Sequence, residues 1–236
     1  TQGTLYGEAH SEADQLNYAR ASATLGPIFD LGASMISQQP AIGGGVAMLD
    51  GDCYYVYVNA SATGEGVSDG AFQGARVRLG YRQYEEDLTS DNGIYIDAVA
   101  RAAKSDVFVE GDVISVAPIF RWNNVDGTFN DGLDDFSPGK YLYGGARFAY
   151  HRVMNDLITL GVSVGVYDRY FLVDETPNGD ARNDVTIRPG VSVLFRDVFA
   201  PQTGIRFNYD YEYNDSNDPD HDYDNHVLGL SLIVRR

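Results

Sequence analysis

The chain has 236 residues, a net charge of −17, a mean hydropathy of −0.26, 17 Tyr, 11 Phe and 26 Gly. So acidic a protein lacks the basic face that nucleic-acid phosphates require, and a lone cysteine, Cys53, excludes an intramolecular disulfide or a cysteine metal cage. No run of 18 apolar residues is present, which excludes a helical membrane span, while the aromatics and glycines favour strands over helices.

Thr1 opens the chain without a charged or apolar leader, and the expectation is a mature chain whose signal peptide has been removed. Residues 1–25 read in two ways. They form either a first hairpin or a short helix that plugs a lumen or lies outside it. Residues 28–37 and 44–62 read as strands, the second interrupted at Leu49-Asp50-Gly51-Asp52 by a bulge or an extra turn. Cys53 reads as a small, half-buried residue.

From residue 71 onward, alternation becomes regular. Over 71–85, Ala75, Val77, Leu79 and Tyr81 oppose Arg76, Arg78 and Arg82; over 93–109, Ile94, Ile96, Ala98 and Ala100 oppose Tyr95, Asp97 and Arg101. Residues 113–123 and 140–153 also read as strands, the latter carrying Arg147. The next segment sets Ile158, Leu160, Val162, Val164 and Val166 against Thr159, Gly161, Ser163, Gly165, Tyr167 and Arg169. Then Val185, Ile187, Val191, Val193 and Phe195 oppose Thr186, Arg188, Ser192 and Arg196. Ile205, Phe207, Tyr209, Tyr211 and Tyr213 oppose Arg206, Asn208, Asp210 and Glu212. The last strand places Leu228, Leu230, Leu232 and Val234 opposite Gly229, Ser231 and Arg235.

Segments of about ten residues suit a tilted membrane-crossing strand better than an ordinary globular one. The connections also differ in length: long polar stretches at 124–139, 174–183 and 214–225 alternate with tight turns at Asn155-Asp156 and Pro201-Gln202. On these features, over about residues 28–236, the chain resembles bacterial outer-membrane β-barrels as a class, porin-like in pattern. It departs from the class in ending Ile233-Val234-Arg235-Arg236, where an aromatic residue is usual. The resemblance implies an all-β fold: one domain over 1–236, a transmembrane antiparallel up-and-down barrel of about twelve strands, with ten to fourteen open. It implies a Gram-negative outer-membrane location and contact with membrane lipid and lipopolysaccharide.

The face opposite the apolar one carries Arg76, Arg78, Arg82, Arg101, Arg147, Arg169, Arg188, Arg196 and Arg206, with Asp97, Asp210 and Glu212. Two readings stay open for it. It is either the charged wall of a passive pore for small hydrophilic solutes or an exported polymer, or a lumen packed shut by Arg–carboxylate networks in a structural or adhesive barrel. Asp218, Asp220, Asp222 and Asp224 form an acidic loop whose oxygens suit Ca2+, although the EF-hand glycine and terminal glutamate are missing; a solvated loop is the alternative, and no other cofactor is expected. Catalysis has weaker support. None of His10, His151, His221 or His226 has a serine two residues on, as barrel lipases require. Asp224-x-His226 is similar to the Asp–His couple of outer-membrane aspartyl proteases, so a hydrolase stays as an alternative. A soluble β-sandwich would show the same alternation with its apolar face buried. The sequence leaves the solute and the oligomeric state open.

Overall fold

In the computed structural model the described residues are 2–8, 18–27, 29–30, 37–49, 52–68, 70–84, 92–125, 140–175, 179–198, 200–201 and 203–234. Their strands are β1 (Gln2–Glu8), β2 (Tyr18–Leu25), β3 (Phe29–Asp30), β4 (Ser37–Leu49), β5 (Asp52–Ser68), β6 (Ala71–Tyr84) and β7 (Gly93–Ser105). There follow β8 (Asp112–Val125), β9 (Tyr141–Val153), β10 (Ile158–Glu175), β11 (Ala181–Arg196), β12 (Thr203–Ser216) and β13 (Tyr223–Val234). A single 3-10 turn, Pro219–His221, precedes β13. Every pairing is antiparallel, and the order β1-β2-β4-β5 through to β13 is that of the chain, with β3 paired only to β4. The protein is all-β, an up-and-down sheet, with twelve strands along the ladder among the described residues.

Alternation decides which residues share a face, and exposure decides which face is covered. The apolar face is the uncovered one. Leu228, Leu230 and Leu232 are 81%, 70% and 65% exposed, Ile42 is 73% exposed, and Val58, Leu79, Phe148, Val162, Val191 and Phe207 are exposed with them. The opposite face holds the buried residues: Tyr55, Tyr57, Tyr84, Tyr95, Asn123, Asp97, Asp184, Asp210 and Asn214. A sandwich of the same pattern would bury the leucines and expose the aspartates.

The apolar face has edges. On β7, Ile94 to Ala102 give way to Lys104; on β9, Leu142 to Tyr150 end at Arg152. On β10, Ile158 to Val166 end at Asp168, and on β12, Ile205 to Tyr213 end at Asp215. Five alternate residues of such a run, as from Ile158 to Val166, span about 27 Å along the strand. Trp122, Tyr170 and Tyr213 stand toward one edge of this band; Phe148, Phe195 and Phe207 stand toward the other.

Several sequence expectations are corrected. Of the two readings of the interruption in 44–62, the turn holds: β4 and β5 pair antiparallel up to Leu49 and Asp52, with a register shift at Ala47 and Met48, while residues 50–51 lie outside the described ones. The strand expected over 28–37 contributes only β3 and the first residue of β4; residues 31–36 lie outside the described residues. In the N-terminal 25 residues Gln2–Glu8 pairs with Tyr18–Leu25, the hairpin alternative, so Tyr18–Leu25 is not helical; residues 9–17 lie outside the described ones. Cys53 is exposed.

The loop asymmetry is smaller than the sequence suggests. Strands β10 to β13 run into the acidic stretches at 174–183 and 214–225, leaving connections at 176–180 and 217–222, no longer than 106–111 or 197–202. Polar residues stay in these strands because their inward members find partners: Asp184 takes Arg182 and Ser216, and Asn214 takes Thr186. The β10 end of the sheet nevertheless keeps most of the acidic connections, and is called the acidic end below. The end bearing 106–111, 154–157 and 197–202 is called the turn end.

The strand expected to reach residue 109 stops at Ser105. Asp106 and Gly111 have positive φ (56° and 82°), reversing the chain. The Asp112 carboxylate accepts the N–H groups of Val107, Phe108 and Val109 at 2.7, 3.0 and 3.1 Å, just beyond the apolar band. Burial opposes its charged form, but these donors and the Tyr150 hydroxyl outweigh that and hold the carboxyl below the ordinary carboxylate range. A depressed folded pKa gives stability that is present above the unfolded value of about 4 and lost as pH falls through the folded one. Amide exchange at Val107–Val109 is therefore expected to quicken about tenfold in Asp112→Ala at neutral pH. In the wild type the same loss is expected only on acidification below about pH 4; exchange unchanged by either treatment would refute the cap.

Candidate functional site: the inner face

All twelve residues picked out for the polar face fall on the inner side of the sheet, as their cross-strand partners fix. One continuous row runs from strand to strand: Ser61, Arg78, Asp97, Arg121, Tyr143, Arg169, Asp184 and Ser216, each paired in register with the next. Opposite charges and π faces meet along it as neighbours on one side of a pleated sheet. Arg121 donates to Asp97 through Nε. The Arg169 guanidinium lies 5.3, 5.6 and 5.9 Å from the ring centroids of Tyr141, Tyr143 and Phe171.

Toward the acidic end the inner face is packed. Tyr55, Tyr57, Tyr84 and Ala47 form an aromatic cluster with Tyr54 against it. The Arg82 guanidinium sits 4.4 Å from the Tyr95 centroid and donates to Asn123 at 3.4 Å. Gly80 makes this possible, because a Cβ there would collide with the Tyr95 ring. Arg182 grips Asp184 with two hydrogen bonds, 3.0 and 2.9 Å, both side chains buried, with Phe171 beneath the guanidinium at 4.4 Å. Such a fork is the strong form of the pair.

Nearer mid-height the sheet curls enough to bring β9 against β12. Arg147 bonds Asp210 and Ser163, and Arg188 reaches Asp210 at 3.6 Å and Glu212 at 3.2 Å. The Pro118 and Pro189 steps, which lack an N–H, interrupt the recorded register beside Arg101 and Arg188. Two cavities lie on this face. One, of about 460 Å3, is lined from β7 to β13 and includes Arg101, His151, Arg206, Asn208 and Asp210. The other, of about 270 Å3, includes Tyr143, Tyr167, Arg169, Arg188, Glu212 and Tyr223. They share Ala117 and Arg147, so the Arg147–Asp210 bridge stands where one meets the other.

The remaining expected residues are placed as follows. Arg76 and Arg101 are exposed on the inner side, and Arg196 is half-buried near the turn end. Asp218 caps the 3-10 turn by accepting Asp220 N–H, and Asp222 accepts Ser216 N–H at 2.7 Å, so two of the four loop carboxylates are engaged by backbone. Among the described residues no group of three or more His, Cys, Asp or Glu is arranged to hold a metal. Asp224 and His226 lie on the outer face, where His226 Nδ1 meets the Tyr209 hydroxyl at 2.7 Å and its ring packs on Tyr209 and Tyr211. Sequence reasoning missed Arg121, Arg182, Asp184 and His151. Parity would have found them, since Arg121 shares the phase of Asn123 and Ser115, and Arg182 that of Arg188.

Comparison with protein-family models, with curated proteins and with solved structures found no match to this chain.

Breaking one inner pair tests how far these charges support each other. Asp97→Leu leaves the Arg121 guanidinium without its carboxylate and is expected to cost roughly 3 kcal/mol in denaturant unfolding. Asp97→Leu with Arg121→Met is expected to recover most of that. A single variant as stable as wild type would show that the row contributes nothing.

Proposed function

We propose that the sheet is the wall of a membrane-spanning β-barrel of the Gram-negative outer membrane, and that its lumen is a narrow passive pore for small hydrophilic solutes. The observation that carries the membrane reading is the uncovered apolar face. Its leucines, valines and isoleucines, in runs about 27 Å long that end at charged residues, match a hydrocarbon layer crossed by tilted strands. Burying that much apolar surface in water would need a second layer of structure, whereas lipid supplies the cover directly. Trp122, Tyr170 and Tyr213 at one edge suit the headgroup level.

The pore reading rests on the two adjoining cavities, whose lining includes the small side chains of Ser163 and Ser192. The Arg147–Asp210 bridge then acts as the constriction. A closed structural barrel is the second reading, favoured by that same bridge and by the packed tyrosines of the acidic end. A hydrolase built on Asp224 and His226 draws no support from their place on the outer face.

Purified protein refolded in detergent is expected to run faster on gels unheated than boiled, as a closed barrel does. In planar bilayers it is expected to conduct, with Arg147→Ser raising the single-channel conductance by widening the constriction. Folded protein that is silent in both forms would favour the closed barrel.

A further inference from the structure

The 460 Å3 cavity gathers three guanidinium side chains around a single carboxylate. Its cationic lining consists of Arg101, Arg147 and Arg206, with His151 beside them, and its carboxylate is Asp210. Asp210 is already engaged by Arg147 and Arg188. Among the described residues neither Arg101 nor Arg206 has a carboxylate at ion-pair distance. Near the acidic end Arg121 and Arg182 each have a carboxylate, Asp97 and Asp184; in this chamber Arg101 and Arg206 have none, which leaves it with surplus positive charge.

The surplus lies along a lined cavity, with Arg206 half-buried and Arg101 exposed at its wall. Gly161 and Ser192 are directly paired, and a Cβ on Gly161 would collide with both the His151 ring and Ser192 Oγ, so the glycine lets the imidazole lie close against this wall of the chamber. Hydroxyl and amide groups of Ser192 and Asn208, in register with one another, supply neutral donors in the same wall. Guanidinium groups held in a partly dehydrated chamber carry a desolvation cost that an anion offsets, and their planar donor forks match oxyanions better than spherical ions.

We propose that this chamber is a binding station for a small oxyanion-bearing solute, such as one carrying phosphate, gripped by Arg101 and Arg206 with Ser192 and Asn208 as neutral donors. The proposal rests on the pore reading for its physiological meaning: the station makes the pore prefer anions although the whole protein is strongly acidic. The acidic connections lie at the opposite end of the sheet from Arg206, so the net charge of −17 does not set the charge of this chamber.

Inorganic phosphate is the probe. Calorimetric titration of the full chain folded in zwitterionic detergent is expected to show binding, weakened about tenfold in Arg101→Ser and in Arg206→Ser. Lys104→Ser, which removes a cation from the outer face, is expected to bind as wild type does. In bilayers under a KCl gradient the reversal potential is expected on the anion side, with phosphate reducing the chloride current. Wild type that binds no phosphate, chloride competing as well as phosphate, or both arginine variants binding as wild type would overturn the station. Binding without any conductance would leave the station standing and overturn the pore instead.

Discussion

A sheet has two faces, and the cover given to each constrains everything else in this protein. One face leaves Leu228, Leu230, Leu232, Val162 and Phe207 exposed among the described residues, while the other turns its arginines, aspartates and tyrosines toward one another. In water the first arrangement is unfavourable by roughly 25 cal/mol for each Å2 of apolar surface left exposed. A medium that is itself apolar removes that cost, and the inner charges then become the part that needs partners.

The inner face meets that need in two different ways. Toward the acidic end many of its charges meet partners within the sheet, through Arg121–Asp97, Arg182–Asp184 and the stacking of Arg82 and Arg169 on tyrosines. Toward the turn end the small residues Ser163 and Ser192 line a chamber in which Arg101 and Arg206 face open space. The combination fits a passage with one narrow point and one charged chamber.

Much of this was legible in the sequence because period-two alternation is a local property, and it holds from Ala75 to Leu232 almost without a break. The phase of that alternation placed all twelve expected inner residues on one side. The boundaries were less legible. At Leu49–Asp52 a bulge and a turn stay open in the sequence because Val46 and Val56, on either side, keep the same parity through a reversal, which alternation alone does not register. Val107-Phe108-Val109 read as strand because the cap that turns them, Asp112, follows them. The acidic stretches read as loops because composition does not show that Asp184, Asn214 and Ser216 have partners across the sheet. Likewise the pairing of Arg147 with Asp210, 63 residues apart, depends on the curl of β9 toward β12, which no local pattern encodes.

The most direct test of the account is the environment of alternate residues along β13. Nitroxide labels placed singly at 228, 229, 230, 231 and 232 in protein reconstituted into lipid vesicles report collisions with oxygen, which concentrates in hydrocarbon, and with a water-soluble nickel chelate. The account predicts high oxygen and low nickel accessibility at 228, 230 and 232, with the opposite at 229 and 231. Labels at 228, 230 and 232 that favour the nickel chelate, or are shielded from both reagents, would contradict it.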